Sequence, residues 1–258
     1  MAVILLLSIL FSSVFTALPV SGTGASFYIK RNPDHRQPSL EPGFAYMTQY
    51  DAYYVDRAHN EENADKVLYL TFDAGYENGN VEKILDTLRA EEVPAAFFIL
   101  DHMILSYEGL VRRMADEGHL VCNHTMKHRD MSKITDKASF ARELTALEDL
   151  YRERIGGEMA RFYRPPEGRF SEENLKMAQE MGYKTVFWSI AYADWDNNNQ
   201  PSREGAMKKL LDNTHNGAVV LLHPTSATNA EILGELVREW KRQGYRFGTL
   251  YELCGENG

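Results

Sequence analysis

From Lys66 onward the chain alternates between two patterns of apolar spacing. Short continuous apolar runs occur at "VLYLTF", "AAFFIL", "HLVCN", "RFYR", "KTVFWSI", "AVVLL" and "YRFGTL". Between them lie stretches with apolar residues three and four apart, such as "VEKILDTLRAEE", "YEGLVRRMADE", "ENLKMAQEM" and "AEILGELVREWKRQ". Strand-length runs alternating with amphipathic helical segments predict β/α units and a largely parallel sheet. The punctuation agrees. Gly118, Gly182 and Gly244 each fall just past a helical pattern and just before an apolar run, where a left-handed residue closes a helix. Ser171 precedes "EENLKMAQEM" as an N-cap with acids in the first turn. Seven strand candidates favour an α/β fold of the distorted, incomplete (β/α) barrel kind over an open sheet.

The segments ahead of this pattern differ. Residues 1–25 carry no charged side chain and are almost continuously apolar to Val20, after which small residues take over. That is the pattern of a signal peptide, with small-residue cut sites after Gly22 or Ala25, or of an uncleaved membrane anchor. Either reading sends the rest of the chain out of the cytoplasm. Residues 26–66 form a lead-in interrupted by Pro33, Pro38 and Pro42, whose Tyr46, Tyr50, Tyr53 and Tyr54 are expected to cover part of the main domain, 67–253.

Composition narrows function without choosing it. The 258 residues are 44% hydrophobic and 25% charged, as in globular proteins. A net charge of −9 argues against a general polyanion binder, so no nucleic-acid partner is expected. Two cysteines, Cys122 and Cys254, make no disulfide framework, and Cys122 in "HLVCNH" reads as a small buried side chain.

Candidate chemistry collects where the apolar runs end. Asp73 follows the first run, His124 and His128 the third, Arg164 closes the fourth, Asp194 lies just past the fifth, and His223 ends the sixth. In parallel β/α folds those ends converge on one face, where active sites are built. Singly, each residue has a plain structural reading: a turn cap, a core histidine, a loop acid. Together they would form one pocket. "HTMKH" spaces two histidines four apart, enough to chelate a metal from a helical turn or tight loop, but Thr125 stands where the zincin motif needs Glu. There is no "GxSxG" elbow, Walker loop or dinucleotide fingerprint, and Cys122 is too apolar in its setting for a nucleophile. An acid, a base and two metal-type ligands are the equipment for hydrolysis by activated water.

"TFDAG", "HTMKH", "RPPEG", "ADW" and "LLH" stand in the order of the five motifs of polysaccharide deacetylases, the carbohydrate esterase family 4 or NodB-homology domain. The resemblance covers about Val67 to Leu253. Within the family, "TFDAGYENGNVEKILDTL", "NHTMKHRDM" and "FYRPPEGRFSEENL" are most similar to de-N-acetylases that act on N-acetylmuramic acid in peptidoglycan on the way to the muramic delta-lactam of spore cortex. The resemblance implies that Asp73 is the general base, that His124 and His128 bind a divalent metal such as Zn, Mn, Co or Ni, and that His223 is the general acid. It implies further that Asp194 holds His223, that Arg164 orients Asp73, and that the backbone N–H near Glu167 helps stabilise an oxyanion. Trp195 would pack against the acetyl group or sugar, or simply anchor its loop.

One position departs from the family. Ala74 occupies the place of the second aspartate, the usual third metal ligand, and offers no donor atom. Two imidazoles with waters still bind a divalent ion, but weakly; Glu77, Asn78 and Asn123 are the candidate replacements for the missing donor, though nothing in the sequence places their side chains near the ion. Two expectations of different class follow. One is a metal-assisted deacetylase with a loosely held ion, acting on muramic acid or on N-acetylglucosamine polymers. The other is a degenerate member that binds peptidoglycan glycan strands without turning them over.

Overall fold

The computed structural model describes residues 24–31 and 34–256. The expected leader or anchor at 1–25 lies almost wholly outside the described residues. Among these, no helix is long and apolar enough to cross a membrane.

Among the described residues there are ten strands: β1 (Ala25–Ser26), β2 (Ala52–Tyr53), β3 (Lys66–Ala74), β4 (Ala96–Ile99), β5 (Leu120–Asn123), β6 (Ala160–Tyr163), β7 (Arg169–Phe170), β8 (Lys184–Val186), β9 (Ala218–Leu222) and β10 (Tyr245–Phe247). The seven apolar runs correspond to β3, β4, β5, β6, β8, β9 and β10. The helices are α1 (Val81–Ala90), α2 (Asp101–Asp116), α3 (Lys137–Arg154), α4 (Glu172–Glu180), α5 (Arg203–Asp212), α6 (Ala227–Arg242) and the short α7 (Leu250–Leu253), with a 3-10 helix at Pro42–Gln49.

The wall runs β3-β4-β5-β6-β8, all parallel, and β9 lies on β3 with Leu68 opposite Ala218 and Phe72 opposite Leu222. β8 and β9 meet beyond the end of β8, where Ile190 bridges Val220 and the Leu221 N–H donates to the Ile190 carbonyl at 2.8 Å. Lower down the two strands splay. The gap is occupied by the lead-in: β2 pairs with Thr185 and Val186, then Val55 bridges Ala218. The ring is therefore a distorted (β/α) barrel with a seam filled by a segment that precedes it in sequence.

Period-two alternation divides each wall strand between two cores. Val67, Tyr69, Ala96, Phe98, Cys122, Phe162, Val186 and Val219, drawn from all six wall strands, pack together inside the barrel, closed at one end by Leu250 and Leu253. The alternate residues of β3, namely Leu68, Leu70, Phe72 and Ala74, face the helices. α1 buries Val81, Ile84, Leu85 and Leu88, and α6 buries Ile232, Leu233, Leu236, Val237 and Trp240, each a stripe of helical period. Full burial of such a side chain contributes about 1.5–3 kcal/mol.

The lead-in has its own apolar cluster, with Phe27, Phe44, Met47, Tyr54 and Val55 against Phe170, Leu175 and Phe187 of the barrel. Tyr54 is buried, whereas Tyr46, Tyr50 and Tyr53 are only half-buried. Cys122 and Cys254 are free thiols. Burial pushes Cys122 well above its ordinary pKa and Cys254 up to about 12, so neither is a thiolate at neutral pH.

Candidate active site

The C-terminal ends of the wall strands open into one cleft of about 940 Å3. Asp73, His124, His128, Glu167, Trp195 and His223 line it. The other two residues singled out in the sequence, Arg164 and Asp194, are fully buried directly behind Asp73 and His223.

Asp73 is the last inward-facing residue of β3. Arg164, which follows β6, reaches across the barrel interior and donates from Nη1 to Asp73 Oδ1 at 2.7 Å. Three of its other four donors are also engaged. Nε meets the Val186 carbonyl at 2.9 Å, and Nη2 meets Thr71 Oγ1 at 2.9 Å and the Phe187 carbonyl at 3.1 Å. The Phe98 ring lies 4.1 Å from the guanidinium carbon, a cation–π contact within the dry interior. A buried cation is tolerated only with such extensive pairing. Burial works against ionising Asp73, yet the charges of Arg164, His124 and His223 outweigh it and hold the carboxyl below its ordinary range. Asp73 is thus a carboxylate at neutral pH.

The histidines sit on a tight loop, not a helix. Thr125 and His128 both have left-handed backbones (φ 73° and 53°), which lets five residues turn back so that the two imidazoles meet at 5.1 Å between centroids. The Thr125 N–H donates to Asn123 Oδ1 at 2.9 Å, and the His128 N–H to Thr125 Oγ1 at 3.0 Å. Two buried carboxylates brace the loop from behind: Asp101 of α2 pairs with Lys127, and Glu143 of α3 with Arg129 at 3.2 Å. His124 Nδ1 donates to the Arg164 carbonyl at 2.9 Å, leaving Nε2 facing Asp73 Oδ2 at 3.5 Å. Burial pushes the His124 imidazole down to about 4 despite the pull of Asp73. A neutral imidazole whose Nδ1 proton is fixed by a carbonyl has the form a metal ligand needs.

These two imidazoles fit a divalent ion as a two-donor site. No third protein donor joins them, and among the described residues no group of three or more His, Cys, Asp or Glu is arranged to hold a metal. Ala74 belongs to the helix-facing apolar layer. The three substitutes raised by the sequence are each occupied elsewhere. Glu77 accepts from the Gly79 and Val81 N–H groups at the start of α1, Asn78 donates to the Thr225 carbonyl, and Asn123 donates to the Leu144 carbonyl and the Tyr183 hydroxyl.

On the opposite wall, His223 follows β9. Its Nδ1 donates to Asp194 Oδ1 at 2.8 Å and its backbone N–H to Asp194 Oδ2 at 2.8 Å. Burial disfavours the imidazolium, but the hydrogen bond and charge of Asp194, with the charge of Asp73, raise the His223 pKa above its ordinary value. Asn229, in the first turn of α6, donates to Asp194 Oδ2 at 2.6 Å and to the His223 carbonyl at 3.0 Å. The Tyr192 hydroxyl donates to Asn229 in turn. Trp195 is 61% exposed, its ring edge-on to His223 at 6.2 Å.

Glu167 is left-handed (φ 54°) in the turn after Pro165 and Pro166, and its exposed carboxylate pairs with Arg169 at 3.0 Å. Thr71 and Asn229 escaped sequence reasoning. Thr71 had a signal, since it lies two residues before Asp73 on the same strand face. Asn229 had none, because only the fold brings the first turn of α6 against Asp194.

Strand-end carboxylates and imidazoles around one cleft of a parallel barrel define a hydrolase site of the deacetylase type. The chain belongs to the polysaccharide deacetylase family. Its residues 60–186 match the Polysaccharide deacetylase family model. It is 38% identical over 231 residues to peptidoglycan-N-acetylmuramic acid deacetylase PdaA of Bacillus subtilis, covering 88% of this chain and 84% of that protein. The solved structure of B. subtilis PdaA, a family 4 carbohydrate esterase, superposes with a TM-score of 0.85 at 34% identity, over 92% of this chain and 99% of that one. A peptidoglycan-N-acetylglucosamine deacetylase of Bacillus cereus is 29% identical over 247 residues, covering 94% of this chain and 86% of that protein. The family's enzymes are hydrolases of N-acetyl amide bonds, and are generally metal-dependent.

Proposed function

We propose that this protein removes the N-acetyl group from N-acetylmuramic acid in peptidoglycan glycan strands, in the service of muramic delta-lactam formation in spore cortex. The observation that carries the reading is a pair of groups tuned in opposite directions across one cleft. Asp73 is held ionised by Arg164, and His223 is disposed to be protonated by Asp194. A base and an acid pushed apart in pKa are what amide hydrolysis needs at neutral pH. The identity to B. subtilis PdaA supports muramic acid over glucosamine.

In this reading Asp73 takes a proton from the water that attacks the acetyl carbonyl carbon. The N–H near Glu167 donates to the oxyanion as it forms. His223 then passes the proton of its Nε2 to the amide nitrogen, the C–N bond breaks, and acetate leaves from a free amine. Without that proton the leaving group would be an amide anion. Trp195, at the rim beside His223, packs on the sugar. A divalent ion held by His124 and His128 supplies, when bound, a Lewis acid for the carbonyl. With two protein donors it is expected to exchange readily. The apolar residues 1–25 serve export, as a cleaved leader or as a membrane anchor, consistent with a wall substrate.

Ala74 favours a second reading, a glycan binder that has lost turnover. Acetate release from peptide-free glycan strands separates the two, run after chelation and with each divalent ion restored, with mass spectrometry locating the free amine. Metal-dependent acetate with the amine on muramic acid is expected. Folded protein that binds strands but releases no acetate with any ion would overturn the enzyme reading.

A further inference from the structure

The lead-in contributes a charged group to the cleft. Arg31 lines it alongside Asp73 and His223. Its Nη2 donates to the Ala191 carbonyl at 2.9 Å, on the loop that carries Asp194. The exposed guanidinium has five N–H donors in a planar fork, of which Ala191 uses one.

Arg31 is held in place by its neighbours. β1 pairs antiparallel with β7, just after the Arg164–Gly168 turn. The Phe27 N–H donates to the Gly168 carbonyl at 2.8 Å, and the Phe27 ring lies 4.5 Å from Phe187 and 5.5 Å from Trp188. Gly168 permits this approach: a Cβ there would fall 2.8 Å from the Trp188 ring and 3.2 Å from Phe27. The segment is thus seated on the same loops that carry the reacting groups.

Muramic acid differs from glucosamine by a lactyl ether ending in a carboxylate. A protein of net charge −9 repels an anionic substrate at long range, so selecting one requires a local cation. Arg164 is fully buried, with Asp73, Thr71 and two carbonyls taking its donors. Among the described residues lining the cleft, Arg31 and Lys209 are the remaining Lys and Arg side chains. Of the two, only the guanidinium matches a carboxylate with two parallel hydrogen bonds.

We propose that Arg31 binds the lactyl carboxylate of the muramic acid residue being deacetylated, and so makes the lead-in the element that selects muramic acid over glucosamine. The proposal rests on the deacetylase reading above. Its test compares two substrates: peptide-free strands with free lactyl carboxylates, and the same strands with those carboxylates capped as methylamides. Acetate release from muramic acid is measured on each. The wild-type protein should favour the free acid by about tenfold in kcat/KM, carried by KM, the scale of one charge-assisted interaction. Arg31→Gln should lose that factor on the free acid and leave the capped strands unchanged. Arg31→Lys should recover part of it, and Lys209→Gln should behave as wild type. Folded Arg31→Gln that keeps the preference, Lys209→Gln that loses it, or a wild-type protein active on both substrates alike would each overturn the assignment while leaving deacetylation intact. If Arg31→Gln does not fold, Arg31→Lys and the wild-type comparison still decide. A wild-type protein that releases no acetate from muramic acid in either substrate overturns the deacetylase reading, and this proposal with it.

Discussion

Asp194→Asn keeps the shape of the residue behind His223 and removes its charge. The structure dictates how the new amide must lie. Oδ2 of Asp194 accepts from two fixed donors, the His223 N–H and Asn229 Nδ2. The Asn oxygen must take that place, so its NH2 turns toward His223 Nδ1, where Oδ1 accepted before. Two donors cannot face each other, so His223 must give up its Nδ1 proton and carry it on Nε2. The imidazole loses the hydrogen bond and the charge that raise its pKa. A neutral imidazole is a poor acid for an amide nitrogen, and loss of general acid catalysis costs about 10²–10⁴ in rate. The fold should survive, with one charge-assisted hydrogen bond lost at about 1.5–3 kcal/mol. Acetate release should therefore show kcat reduced by two orders of magnitude or more with KM little changed, alongside a thermal melt that stays cooperative. The sign of the pH effect follows. In the proposed reading His223 acts protonated, so activity should fall as pH rises through its raised pKa, above about 6.5; in Asp194→Asn the residual activity should fall away at lower pH. A variant with wild-type kcat and an unmoved alkaline limb would refute the acid role of His223.

Four further outcomes are expected. Asp73→Asn should reduce kcat by about 10²–10⁴. The wild-type acid limb, measured as kcat/KM, should lie below the ordinary carboxyl range of about 4, because Arg164, His124 and His223 overcome burial in holding Asp73 ionised. Chelation should lower acetate release and a restored divalent ion should bring it back, while His124→Ala and His128→Ala each abolish ion binding by titration calorimetry. Phe27→Ala removes a buried ring from the lead-in cluster and should cost about 3–5 kcal/mol in chemical denaturation; a loss below 1 kcal/mol would mean the lead-in is not packed as described.

Much of this molecule is legible in its apolar spacing, for physical reasons. Parallel wall strands are buried on both faces, so they read as continuous runs, and each of the seven runs is a strand. Gly118, Gly182 and Gly244 do take left-handed conformations (φ 83°, 77° and 87°), and Ser171 caps α4 in a capping box with Asn174. α3 is less visible. Phe140, Leu144, Leu147 and Tyr151 keep helical spacing, but Glu143 and Glu148 are buried with them and dilute the stripe. α2 starts six residues before its amphipathic pattern because it bends at Tyr107 (φ −136°, ψ 40°). The two-residue strands β1, β2 and β7 are too short to have a period. In the site, strand-end position brought forward Asp73, His124, His128 and His223, which line the cleft, and Arg164 and Asp194, buried behind them, whereas Glu167 and Trp195 came from the family resemblance. The residues that stayed hidden act through tertiary approach: Asn229 behind Asp194, Asp101 and Glu143 behind the histidine loop, and Arg31 from across the fold.

The filled seam between β8 and β9 bears on the order in which the chain can fold. β2 finds its partners at Thr185 and Val186, and Val55 its partner at Ala218, more than a hundred residues downstream. Pairings of that separation are slow to form, because a long loop must close before any contact offsets its entropy. Until the second half of the barrel exists, Phe27, Phe44, Met47 and Tyr54 have no surface to cover and remain an exposed apolar patch. A chain emerging N-terminus first would therefore present its stickiest folded-state contacts earliest and satisfy them last. The lead-in precedes the barrel in sequence and closes onto it last.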